Sequence, residues 1–308
     1  MADAAAIAQF AGKVALQIIY ELWLILYGTI RAFIPWGVLP KKSVKDQLVL
    51  ITGAGSGFGR ILALKFSELG ARLILWDINQ KQTEETAALC KEKGSDAHVF
   101  TCDVRNRQQV YSLADRINKD IGAVDILVNN AGVVTGKNIL ECSDEEICRS
   151  MDINATSHFW TIKAFLPKMM ERNHGHIVST ASVAGYFGVA QLTDYCASKF
   201  AAVGLMEALT GELQEAGKNN IYTTTICPGV MNTGMFKGTE WWFTPMLEPE
   251  VVAERAIETI LTNQRLVITP KQFLLMNVLK ALFPTDAMMY LGKIMGINKA
   301  LSNFVGRR

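Results

Sequence analysis

Three observations predict an α/β protein built on a doubly wound parallel sheet with helices on both faces. Short apolar runs alternate with runs of helical period over roughly 200 residues. A glycine-rich turn follows the first apolar run, and an acidic residue closes the second. Asp103, Asn129, Ser182 and Pro228 then fall at the ends of later runs, where an open parallel sheet holds its ligand. With 308 residues and 50% of them apolar, the chain can bury a sizeable core.

Residues 1–40 read as a hydrophobic anchor. The run VALQIIYELWLILYGTI, residues 14–30, is broken only by Gln17, Glu21 and small polar groups. A signal peptide would carry a basic n-region and a cleavage site, whereas here Lys13 alone precedes the run and Arg31, Pro35 and Trp36 follow it. As a helix those residues span about 25 Å, short of a ~30 Å hydrocarbon core, so a broken or interfacial anchor is expected rather than a straight crossing. Trp23, Tyr27 and Trp36 supply interfacial aromatics, and Lys41, Lys42 and Lys45 keep the following residues cytosolic. A buried packing helix is the competing reading.

The segment QLVLITGAGSGFGRILALKFSELGARLILWDI changes period twice. Residues 48–51 form a strand, the glycines a turn, and a helix starts near Phe58 and runs to Leu69. Gly53, Gly57 and Gly59 let the backbone turn tightly against a pyrophosphate, whose charge meets the free N–H groups of the helix start. The second strand, RLILWD, ends in Asp77, which can accept hydrogen bonds from an adenosine ribose and repels a 2′-phosphate. NAD is therefore expected over NADP. Ser56 adds no positive charge, and Arg60 is the one cation placed to oppose this preference. The GxxxGxG spacing is not the common GxGxxG fingerprint, so the strand, turn, helix and acid carry the reading together.

Four further strands follow: AHVFTCDV to Asp103, VDILVNNAGV to Asn129, GHIVSTAS to Ser182 and IYTTTICPGV to Pro228. They complete a Rossmann-type nucleotide-binding domain over residues 41–265. Residues 266–308 hold two basic amphipathic patterns around Pro284 and are expected to cap a pocket or touch lipid. In DYCASKF, Tyr195 and Lys199 stand at i and i+4, so on a helix phenol and ammonium share a face and the cation favours the phenolate. Two ordinary helix residues would show the same spacing. The six cysteines lack zinc spacing and read as free thiols, and with four histidines no metal site is expected. A net charge of +2 gives no reason to expect nucleic acid.

TGAGSGFG, NNAG and YCASK, in that order, resemble the motifs of the short-chain dehydrogenases/reductases over roughly residues 45–265. The resemblance implies a catalytic set of Asn154, Ser182, Tyr195 and Lys199. In it Tyr195 is the acid/base, Lys199 lowers its pKa and holds the nicotinamide ribose, Ser182 bonds the substrate oxygen, and Asn154 positions a water linking Lys199 to solvent. It also implies an NAD site of Gly53, Ser56, Gly57, Phe58, Gly59, Asp77, Asp103, Val104, Asn130, Ala131, Gly132, Pro228, Gly229, Val230 and Thr233, with Tyr195 and Lys199.

Within the family the chain is most similar to the membrane- or lipid-droplet-associated branch of retinol and 17-beta-hydroxysteroid dehydrogenases. That implies a lipophilic alcohol substrate, a homodimer, and a place on the endoplasmic reticulum membrane or the lipid droplet. In residues 234–250, Met235, Phe236, Trp241, Trp242, Phe243 and Met246 are expected to roof the substrate pocket, with Gly234 and Gly238 as hinges. A lipid-surface scaffold that retains a nucleotide fold is the alternative function.

Overall fold

The computed structural model describes residues 2–34, 37–239, 245–297, 301, 303 and 304, in two units divided after Lys41. The first unit holds one helix, α1, Ala2–Phe33. Its stretch Ala6–Gly28, 23 residues with no described side chain buried, is long and apolar enough to cross a membrane by length and composition. At 1.5 Å per residue it spans about 35 Å. This differs from the short run read from the sequence, because the alanines and Phe10 ahead of Lys13 continue the same helix. Tyr20, Trp23 and Tyr27 stack in series, with ring centroids 6.1 and 5.2 Å apart. Pro35 and Trp36 lie outside the described residues.

In the second unit strands and helices alternate strictly at first: β1 Leu48–Thr52, α2 Gly57–Glu68, β2 Arg72–Asp77, α3 Gln80–Glu92, β3 Ala97–Thr101, α4 Arg107–Asp120 and β4 Ile126–Asn129. Then come α5 Asp144–Met151, α6 Ser157–Arg172, β5 Gly175–Thr180, α7 Thr193–Glu215, β6 Ile221–Pro228, α8 Pro249–Leu261, β7 Leu266–Thr269, α9 Gln272–Leu282 and α10 Thr285–Ile294. Side-chain caps start the helices where sequence allows: Asn79 accepts the Gln82 N–H, and Asn106 that of Gln109.

All strands pair in parallel, in the order β3-β2-β1-β4-β5-β6-β7. The order reverses between β1 and β4, and the crevice above that switch point is where such a sheet takes its ligand. Alternation along β1 builds two cores. Val49 and Ile51 pack toward α2 and α8 with Phe66, Leu75 and Ile260, while Leu48 and Leu50 pack toward α4, α6 and α7 with Trp76, Phe165 and Met206. Strand β1, LVLIT, is apolar on both faces and buried along its whole length, and β5, GHIVST, is equally buried because its His176 and Ser179 side chains bond Thr224 and His158. Strand β7 was not legible in the sequence. It extends the sheet past residue 265, where the sequence reading began the C-terminal segment.

Candidate active site

The glycine turn is shaped by what surrounds it. Gly53 and Gly57 have φ of 65° and 56°, left-handed values that favour glycine. A Cβ on Gly53 would lie 2.8 Å from the Cα of Ala131, and one on Gly59 would strike the Gly53 carbonyl and the Asn130 amide. Asn130 Nδ2 donates to the carbonyls of Thr52 and Gly53 at 3.0 and 3.3 Å. Thr52 Oγ1 accepts the backbone N–H groups of Asn130 and Ala131 at 2.9 and 3.0 Å. The NNAG segment thus braces the turn from the neighbouring strand. Ser56 stands at the N-cap position of α2, whose first N–H groups face the turn, and the Phe58 side chain is buried in the core, so only its backbone is on the ligand side.

Asp77 closes the other end of this cradle. Its Oδ2 accepts the Gly55 N–H at 2.9 Å and its Oδ1 the Asn79 N–H at 3.0 Å. Arg60 is held by the Gly55 carbonyl at 2.6 Å, by Thr86 Oγ1 at 2.9 Å, and by Glu85 at 3.2 Å. The cation placed to welcome a 2′-phosphate is therefore committed within the protein. Asp103 is gripped by Arg105 at 2.7 Å, which holds its carboxyl below the usual range, and Val104 beside it is buried. Past β6, the Gly229 N–H donates to the Thr269 carbonyl at 2.7 Å, and the Val230 carbonyl accepts the Leu247 N–H at 2.8 Å. A Cβ on Gly57 would lie 3.7 Å from Thr233 Cβ, so Thr233 stands over the glycine turn. Backbone N–H groups, close approach at glycine and an uncompensated carboxylate are what a dinucleotide lacking a 2′-phosphate requires.

The four proposed catalytic residues arrive from three elements. Ser182 follows β5, with its hydroxyl accepting the Ala184 N–H at 3.1 Å and donating to the Pro228 carbonyl at 3.3 Å. Tyr195 and Lys199 come from the first turns of α7, and both are buried. Lys199 Nζ donates to the Thr180 carbonyl at 2.8 Å and lies 5.5 Å from the Tyr195 ring centroid. Asn154 sits in a π-helical turn, Asp152–Thr156, that joins α5 to α6. Its Oδ1 accepts the Val133 N–H at 2.8 Å, and its Nδ2 donates to the Val133 carbonyl at 2.9 Å and to Ser198 Oγ at 3.0 Å. Asn154 therefore ties the loop after β4 to α7. A Cβ on Gly132 would lie 3.4 Å from Asn154 Oδ1 and 3.7 Å from Lys199 Nζ, so both groups border the same small space.

Burial pushes the Tyr195 phenol above its ordinary value, and the neighbouring Ser182 hydroxyl offsets this only in part. The ammonium faces the ring, and its own pKa is lowered by burial to about 8.

A cavity of about 560 Å³ opens on Tyr195 and Ser182. Val183, Phe187, Val189, Val230 and Phe236 form its walls, and Phe273, Met276, Met288 and Met289 of α9 and α10 form much of the rest. Of the roof expected from residues 234–250, Phe236 lines the cavity, edge-on to Tyr195 with centroids 5.8 Å apart. Met235 and Met246 do not line it, and Trp241, Trp242 and Phe243 lie outside the described residues. Sequence reasoning missed Asp194, a buried carboxylate whose Oδ2 accepts the Thr135 hydroxyl at 2.7 Å, linking the loop after β4 to the catalytic helix. Its place immediately before Tyr195, in the first turn of a helix, was the available signal.

A family model described as short chain dehydrogenase matches residues 47–242. The chain belongs to the short-chain dehydrogenases. Retinol dehydrogenase 10 of Xenopus tropicalis is 41% identical to this short-chain dehydrogenase over 328 aligned positions, covering 95% of this chain and 96% of the relative. Short-chain dehydrogenase/reductase family 16C member 6 of Bos taurus is 47% identical over 272 positions, with 87% and 86% covered. Among solved structures, a short chain dehydrogenase/reductase from Burkholderia phymatum in complex with NAD superimposes with a TM-score of 0.71 at 29% identity, covering 78% of this chain and 94% of that one.

Proposed function

We propose that this oxidoreductase interconverts a lipophilic alcohol and its carbonyl with NAD, the substrate being a retinol, a hydroxysteroid or another lipid alcohol. The observation that carries the reading is the apolar cavity whose polar end is Tyr195 and Ser182. The likeness to retinol dehydrogenase 10 and to a structure solved with NAD supports it. Bound NAD supplies the hydride acceptor, or the donor in reverse. Tyr195 takes the alcohol proton at its phenol oxygen, or returns it to the carbonyl, and Ser182 hydrogen-bonds the substrate oxygen. Lys199 holds the ribose hydroxyls, and Asn154 positions a water beside it. The glycine turn and Thr233 take the phosphates, Asp77 the adenosine ribose, and residues 103–104, 130–132 and 228–230 enclose the rest.

The membrane partner belongs to the same reading. Helix α1 anchors the protein in the endoplasmic reticulum membrane or on the lipid droplet, with the sheet domain in the cytosol and a second copy packed along α7. The test is formation of reduced nicotinamide by the detergent-purified protein, with NAD and NADP in parallel, against retinol, hydroxysteroids and long-chain alcohols. Turnover with NAD on one apolar class is expected. Silence on every alcohol by protein shown to bind NAD would sink the reading.

A further inference from the structure

The cavity wall beside Tyr195 does not stand alone. Phe236 meets the Tyr195 ring edge-on, and on its other side it contacts Phe304, centroids 6.3 Å apart. Leu301, 3% exposed, is buried in one cluster with Ala184, Leu192, Tyr195 and Cys196. Leu301 and Phe304, both past α10, thus pack beside the helix of Tyr195 and behind the wall that the substrate would touch.

Phe304 has a seat made for it. Gly136 is left-handed, φ 72°, and its missing side chain leaves the place that the Phe304 ring fills, since a Cβ there would collide with the ring. The loop that carries Gly136 is held on both sides. Thr135 bonds Asp194 at 2.7 Å, Lys137 bonds Glu146 at 2.6 Å, and Lys137 pairs with Leu192 in an isolated parallel bridge. A ring lodged in a fixed slot transmits that rigidity to whatever it backs.

We propose that Phe304 and Leu301 are positioning residues that fix the Phe236 wall over Tyr195, so that the segment after α10 sets the bulk of the apolar alcohol the cavity accepts. The proposal rests on the alcohol dehydrogenase reading for its substrate class. Losing the Phe304 ring frees Phe236 to swing outward, which lengthens the cavity and loosens the substrate against Tyr195. Leu301 alone then holds the far side of the cluster.

Two full-length variants test it: Phe304→Ala removes the ring, and Gly136→Ala fills its seat while leaving Phe304 in the chain. Each is expected to shift kcat/KM about tenfold in favour of a bulky over a compact apolar alcohol, mainly through KM, with the KM for NAD unchanged. A second readout needs no turnover. Cys196 lines the cavity and lies in the same cluster, so its alkylation by N-ethylmaleimide, read by peptide mass, should quicken about tenfold in both variants. Cys90, fully buried in the core, reports folding and should stay unmodified. Folded variants with wild-type alcohol preference and wild-type Cys196 reactivity would overturn the proposal. Should the wild type oxidise no alcohol, the activity reading falls, and Cys196 reactivity alone decides whether Phe304 backs the wall.

Discussion

A buried phenol holds its proton tightly, and Tyr195, 5% exposed at the end of the cavity, is in that position. Alcohol oxidation needs the proton-accepting form and carbonyl reduction the neutral one, so oxidation should rise with pH where reduction does not. Ser182→Ala removes the group that pulls the phenol down, so the oxidation profile should move to higher pH; initial rates in both directions across pH check this. Tyr195→Phe should lower turnover by roughly 10²- to 10⁴-fold while leaving NAD binding and the melting temperature near wild type. A profile unmoved in Ser182→Ala would leave Lys199 as the group that tunes the phenol.

His158 carries a separate pH dependence. Burial lowers its pKa to about 3 from 6.5, and Ser179 Oγ faces its Nδ1 at 3.2 Å. Between those values the unfolded chain binds a proton that the folded one refuses. The contribution is therefore complete above pH 6.5 and is lost on acidification, at about 1.4 kcal/mol per pH unit. His176, buried and also lowered, acts in the same direction. Thermal melts at neutral and mildly acidic pH should fall less steeply in His158→Gln than in wild type.

At the scale of elements, the glycine turn was legible because three constraints coincide in a few residues: backbone freedom, a helix start and an acid on the next strand. Asp77 can be tested without disturbing the turn. Asp77→Asn keeps an oxygen for the Gly55 N–H and deletes the charge, so NADP use relative to NAD should increase about tenfold, as measured by kcat/KM for each. No relative gain for NADP would mean that another group excludes the 2′-phosphate. The cavity lining was less legible. Residues 272–294 are apolar on more than one face: Met276 and Met288 line the cavity, whereas Leu275, Leu282 and Tyr290 are largely exposed, at 63%, 73% and 66%. Apolar periodicity marks a helix there without telling which face the cavity takes. Strand β7, LVIT, is no shorter than β4, ILVN, but it is followed by no motif like the NNAG that marks the end of β4.

For the whole molecule, the division after Lys41 makes a simple prediction. A chain beginning at Lys42 should bind NAD and melt like the full protein, yet no longer sediment with membranes after carbonate washing. Membrane retention by the shortened chain would move the contact to the exposed apolar residues of α9 and α10. Lys42 itself must stay: its N–H donates to the Leu261 carbonyl at 2.8 Å, and its Nζ bonds His176 Nδ1 at 2.7 Å. From His176 the contacts continue to Thr224 Oγ1 at 2.8 Å, and that hydroxyl donates to the Gln264 carbonyl at 2.6 Å.

These contacts also decide how the sheet domain would bear a mechanical load. Beyond Lys42 the chain leads straight into β1, which lies mid-sheet between β2 and β4. Tension from that end must first break the Lys42 contacts and then drag β1 lengthwise, straining its parallel hydrogen bonds on both edges together. A strand at the rim of the sheet would instead peel off one bond at a time. The fold meets a pull from this end in shear, the geometry that resists it best.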